Sequence, residues 1–320
     1  MAAFNWTSRT TQFIVADVND VAYNGSDLWA ICGGDGGDSQ LSTSPNGIDW
    51  TLQTPGVAVG EWYKIAHNQI DRWMVVGGTF FGAGKLATSP DGINWTEQTI
   101  AVGGADAIFC VAYGNGRWIV CGGDIVGGSR FVSTSDDNGV TWVARGDPFS
   151  SGSILGIAYD GVSRWAISGS NGQISTSDND GVTWTPRTSN ITGVIRGISH
   201  NQTNLWVAVD TSTGIATSAD GITWVAQVAP QAANSSIAYG GGYWLLGGTA
   251  TYSSINATDW TLETGGHGLG VAYNGSDMWI VTFDSLLVES GVLAPFTPYT
   301  SDYDIGATRK TFWLNKIAKK

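Results

Sequence analysis

Apolar residues in this chain recur in short runs separated by turn residues, without helical spacing. The run VAY at 21–23 has counterparts in IAH (65–67), VAY (111–113), IAY (157–159), ISH (198–200), IAY (237–239) and VAY (271–273). Seven or eight residues after each start comes a tryptophan opening a second run, at Trp29, Trp73, Trp118, Trp165, Trp206, Trp244 and Trp279. A third run ends in Thr-Ser or a similar pair. A turn, Gly-containing in all but the last copy, and a second tryptophan follow, at Trp50, Trp95, Trp142, Trp184, Trp224 and Trp260. Loops such as NGSD, GNG and GGG between the first two runs carry hairpin chemistry. The pattern predicts four short strands, a to d, repeated about every forty residues.

A single four-stranded blade leaves both faces bare, whereas a radial ring of blades buries each face against its neighbour and exposes only short edges. The expected fold is therefore all-β: a single β-propeller of four-stranded antiparallel blades over 1–308. Seven repeats are clear. The seventh ends VESGVLAPFTPYT, with Phe296 in the tryptophan position. Residues 1–10 read as a closing strand, since Trp6 precedes Val21 by the same fifteen residues that separate Trp50 from Ile65. Ile305 and Trp313 are eight apart, as in strands a and b. The spacing favours a partial eighth blade split between the termini. The alternative is seven blades, with Trp6 and Thr7 closing the last, and a C-terminal tail.

The repeated turn is clearest in STSDDNGVTW (133–142) and STSDNDGVTW (175–184). A carboxylate or amide in each copy (Asn46, Asp91, Asn138, Asp180, Asp220, Asn256) accepts bonds from its own turn, and the glycine supplies a positive φ. Ala257 replaces that glycine in one copy, so a distorted turn is expected there. The turn resembles the Asp-box, or bacterial neuraminidase repeat. That resemblance implies a turn on the outer rim joining strands c and d, away from the ligand face, with its tryptophan (Trp50, Trp95, Trp142, Trp184, Trp224, Trp260) lying between blades.

Sixteen tryptophans and 45 glycines fit this architecture, and charged residues make up only 13%. The net charge of −12 excludes nucleic acid as an expected partner, because phosphates call for a basic surface. No run approaches the roughly 18 apolar residues of a membrane span, and no secretory leader is read at the start. Cys110 and Cys121 fall on one hairpin. Counting back from a Gly114-Asn115-Gly116 turn sets Cys110 against Val120, so no bridge is expected.

Loops b–c and d–a share the face where the resemblance places ligands. They are longest early in the chain, at 33–40, 77–85, 122–130, 56–64 and 102–109. On them, Trp62 is the only tryptophan outside the repeat and is a candidate for stacking on a sugar. Phe80 and Phe81 are candidate apolar contacts. Asp35, Asp38 and Asp124 are candidates for sugar hydroxyls or, through one GGDGGD loop, for calcium; no other cofactor or metal is expected. The basic segment 309–320, with Arg309, Lys310, Lys316, Lys319 and Lys320, reads as a last strand or a tail docking on an acidic neighbour.

Enzyme activity is not expected. Arg72, Arg117 and Arg164 invite comparison with the arginine triad of Asp-box sialidases, but they lie beside a–b turns, at the wrong end. Glu61, Glu97, Glu263 and Glu289 form no recognisable nucleophile arrangement. His67 and His200 take the place of the repeat tyrosine. The two-propeller glycoside hydrolases need more chain than this, and the photosystem-assembly Asp-box propellers carry a basic patch that this acidic body lacks. The style of VAYNGSDLWAI and VAYNGSDMWIV is similar to repeats of phage virion proteins. The expected role is a structural or interaction protein of a bacteriophage particle, located in the virion and contacting other virion proteins and host glycans. The alternative is a free lectin-like propeller.

Overall fold

The computed structural model describes residues 4–14, 17–35, 38–54, 56–57, 60–79, 84–100, 107–123, 130–231, 234–264, 268–283, 285 and 287–293. They form seven four-stranded antiparallel sheets. Six blades are continuous in sequence, at 18–53, 61–97, 107–145, 154–188, 195–228 and 236–264. The seventh takes its three inner strands from 268–293 and its outermost from Phe4–Thr10. Trp6 lies opposite Gly291 and Thr7 opposite Ser290. The closing strand is real, but it completes the seventh blade. The ring has seven blades, and the expected split eighth blade is corrected accordingly; residues 305 and 313 lie outside the described residues. No helix among the described residues is long and apolar enough to cross a membrane.

The repeated aromatics explain why the ring holds. In every blade the last residue of the apolar triplet sits opposite the tryptophan of strand b, as in Tyr23 with Trp29 and His67 with Trp73. Ring centroids in these pairs lie between 4.6 Å (His200–Trp206) and 5.1 Å (Tyr113–Trp118), the range of favourable tilted aromatic contacts. The strand-b tryptophans are fully buried and anchor seven apolar clusters, each made of residues from two adjacent blades.

The c–d turns work locally, as expected, but with two residues reassigned. Asn46, Asp91, Asp220 and Asn256 accept from backbone N–H groups two and three residues on, at 2.8–3.0 Å. In the two longer copies Asp137 and Asn179 take this role, accepting from Thr141 and Thr183. Asn138 and Asp180 instead occupy left-handed conformations, with φ of 60° and 56°. The extra residue moves the capping side chain one place back. The Ala257 turn is not distorted. Ala257 takes φ of 61°, and its N–H reaches the Ser254 hydroxyl at 2.9 Å, as Gly221 reaches Ser218 at 2.8 Å. Trp95, Trp142 and Trp224 donate to the turn glycine carbonyl at 3.0–3.1 Å.

Cys110 and Cys121 overturn the counted register. Asn115 and Gly116 both have positive φ, 50° and 79°, which makes a two-residue turn closing on Gly114 and Arg117. The pairing therefore shifts by one, and Cys110 faces Cys121 with Cα atoms 5.3 Å apart, joined by a disulfide.

Candidate functional site

Strand a of each blade lines the central pore, and its first residues stand at the end where the b–c and d–a loops emerge. There the strand departs from regular pairing. In the first five blades one residue is inserted opposite strand b: Asn19, Tyr63, Phe109, Leu155 and Arg196. In the seventh blade Leu269 falls in the same irregularity, and in the sixth Ser235 immediately precedes the paired strand. Such bulges bend the strand and re-aim one side chain. Here all seven side chains line one pocket of about 230 Å³ at the pore mouth, together with Glu61 and Lys64.

Strand b makes room for the bulge. A β-carbon on Gly77 would lie 2.0 Å from the Glu61 carbonyl oxygen, and one on Gly122 2.0 Å from that of Ala107. Glycine is needed where the backbones approach this closely. Sequence reasoning looked to the loops and missed these residues. The signal was available: each stands two places before the apolar triplet, and glycine follows the strand-b tryptophan by four residues in the first four blades.

The mouth has two sides. Tyr63, Phe109 and Leu155 come from consecutive blades and form an apolar arc, with Tyr63 and Phe109 ring centroids 5.3 Å apart. Burial, with the Glu61 charge adding to it, raises the Tyr63 hydroxyl well above the usual phenol range, so it stays protonated. Arg196 follows in the next blade and is exposed. Lys64 pairs with the buried Asp20 at 3.1 Å, and the Ile65 N–H also donates to that carboxylate at 3.1 Å. Burial holds the Asp20 carboxyl above its ordinary value despite Lys64. Asn19 donates to Glu61 at 2.8 Å and to the Trp62 carbonyl at 2.9 Å. Further along strand a, Val21, Ile65, Val111, Ile157, Ile198, Ile237 and Val271 hold the same register position. All but Ile65 line a second pocket of about 200 Å³.

The candidates from sequence fare differently. Trp62 belongs to strand a of the second blade, not to a loop. It is 0% exposed and packs with Cys32, Leu41 and Trp73, so no sugar reaches it. Asp35 and Asp38 end neighbouring strands of the first blade and pair directly with each other. No metal-binding cluster forms among the described residues. Phe80, Phe81, Asp124 and the basic residues Arg309, Lys310, Lys316, Lys319 and Lys320 lie outside the described residues.

The arginines sit at the a–b turns, as expected, but they are not merely solvated. Arg117 and Arg164 each grip a carboxylate of their own c–d turn, Asp136 and Asp178, through two nitrogens. Each also donates to a backbone carbonyl of the next blade's turn, at Asp180 and Asp220. Pro90 takes the corresponding place in the second blade and offers Arg72 no carboxylate. His67 and His200 accept backbone N–H bonds from Gln69 and Gln202 at Nδ1. Burial lowers the pKa of both, His67 to about 4. A pocket of about 460 Å³ on this opposite face is lined by Asp27, Asp71 and Asp91, whose carboxylates are already bonded within their own turns.

No protein-family model and no curated protein matches the chain. Solved propellers do. The WD40 β-propeller domain of Doa1 superposes with a TM-score of 0.70 at 12% identity, covering 92% of this chain and 98% of that one. YCF48 bound to a D1 peptide gives 0.66 at 14%, covering 93% and 97%. YCF48 from Cyanidioschyzon merolae gives 0.65 at 15%, covering 89% and 98%. At such identities the likeness extends to the fold, and the chain is all-β, a seven-bladed propeller.

Proposed function

We propose that the chain is a non-enzymatic interaction propeller that holds a polypeptide partner over the pore mouth, on the face of the b–c and d–a loops. One observation carries this reading. The repeats keep their core residues nearly constant but vary the side chain at the equivalent pore-mouth position, which is Asn, Tyr, Phe, Leu, Arg, Ser and Leu in turn. A rigid frame presenting varied chemistry at one opening suits recognition. The YCF48 structure of like fold contains a bound peptide, which supports a polypeptide as the occupant. The engaged histidines and arginines of the opposite face favour a structural role for those residues over catalysis.

Within this class we place the chain in a bacteriophage particle, on the style of its VAYNGSD repeats. The Asp-box resemblance is carried only as far as the turn, where it assigns a part in the ring and no ligand. The burial of Trp62 removes the residue on which the carbohydrate reading leaned. A photo-crosslinking amino acid at Leu155, introduced in the producing culture, tests the main proposal. Adducts mapping to a defined polypeptide segment support it; adducts to saccharide, or none, overturn it. Quantitative mass spectrometry of density-purified particles tests the placement, which requires a fixed ratio to the capsid protein.

A further inference from the structure

Resting on the binding reading above, we propose that the pore mouth recognises an acidic side chain within an extended polypeptide, flanked by an apolar residue, with Arg196 holding the carboxylate. The charges of the mouth point to this. Lys64 is matched by Asp20 at 3.1 Å, and Glu61 accepts from Asn19 at 2.8 Å. Arg196 makes no ion pair among the described residues and is the exposed member of its strand's inner end. Its backbone is held firmly. Ile195 and Gly197 on either side are buried, and a β-carbon on Gly156 of the neighbouring blade would lie 3.0 Å from the Arg196 carbonyl oxygen.

The guanidinium is therefore presented on a fixed strand, and its planar fork matches a carboxylate in two-point contact. The adjacent arc of Leu155, Phe109 and Tyr63 offers apolar surface one to three blades away, so an apolar neighbour of the acid lies against it. On the other side Ser235 supplies a polar edge. The seven equivalent strand-a positions line one pocket, and the proposal places an extended chain across it. A net-acidic body repels acidic partners in general. Arg196, the mouth cation that makes no ion pair among the described residues, then confines recognition of an acid to this one place.

The test uses the whole chain and two surface-displayed libraries of random linear heptapeptides, one with both ends fused and one with a free C-terminus. The expected result is enrichment, in the fused library, of Asp or Glu beside Leu, Phe, Tyr or Ile. Arg196→Gln should weaken those peptides by about tenfold or more, the scale of a charge-assisted hydrogen bond. Arg196→Lys should recover part of the loss, and added salt should weaken binding. Unchanged melting temperatures confirm that the variants fold. Enriched peptides without an acid, or indifferent to Arg196→Gln, overturn this inference and leave the polypeptide-binding reading standing. Enrichment only in the free-ended library overturns the internal acid. No enrichment in either library overturns both.

Discussion

Cys110 and Cys121 face each other across the two inner strands of the third blade, with Cα atoms 5.3 Å apart, and are disulfide-bonded. Cys32 is the remaining thiol and is buried. Chain purified under oxidising conditions and unfolded without reductant should therefore take up one alkylating label, at Cys32, and three after reduction. Replacing both partners by alanine should cost roughly 2–3 kcal/mol, the scale for closing a short loop. Three labels without reductant would show that the thiols stay free.

Arg117 spans two blades, bonding Asp136 at 2.8 Å and the Asp180 carbonyl at 3.0 Å. An exposed ion pair alone contributes little, but the charged bond to a neighbouring backbone carbonyl adds to it. Arg117→Ala should lower unfolding stability by about 1–2 kcal/mol, and Asp136→Ala by less. Equal losses in urea unfolding would place the stabilisation in the ion pair instead.

Trp62 is wholly buried between the first two blades. Trp62→Ala should cost about 3–5 kcal/mol, as for other buried large aromatics. Calorimetry showing less than about 1 kcal/mol would contradict its burial.

Burial lowers the His67 pKa from 6.5 to about 4. The unfolded chain takes up the proton below the higher value, and the folded chain only below the lower. Stability should thus decline as pH falls from about 6.5 to about 4, with no further loss from this residue below that. His200 acts in the same direction. Tyrosine occupies this position in the other five repeats, so a His67→Tyr, His200→Tyr double variant should flatten that limb. Urea midpoints across pH 7.5 to 4.5 measure it, and parallel curves for both proteins would refute the assignment.

At Ala257 the left-handed φ of 61° costs on the order of 1 kcal/mol, but its buried methyl returns a similar amount. Ala257→Gly should be close to neutral. Gly221→Ala should be destabilising by about 1–2 kcal/mol, because its β-carbon would meet Arg164 at 3.1 Å and Trp206 at 3.2 Å. Thermal shifts of the two variants, compared side by side, decide it.

The architecture was legible in the sequence because it rests on periodic, local chemistry. Each triplet, tryptophan and Asn/Gly turn acts within about forty residues, so their recurrence names the strands, the hairpins and the ring. Register, closure and exposure were decided by the tertiary structure. A two-residue turn instead of three moved Cys110 onto Cys121. The first strand found the last across 281 residues and closed the ring at seven blades. Trp62 looked like a loop aromatic until the second blade packed it against the first. The pore mouth was the least legible feature, because its seven residues are far apart in the chain and follow no common residue type. Only the radial arrangement of bulged strands brings them to a single opening.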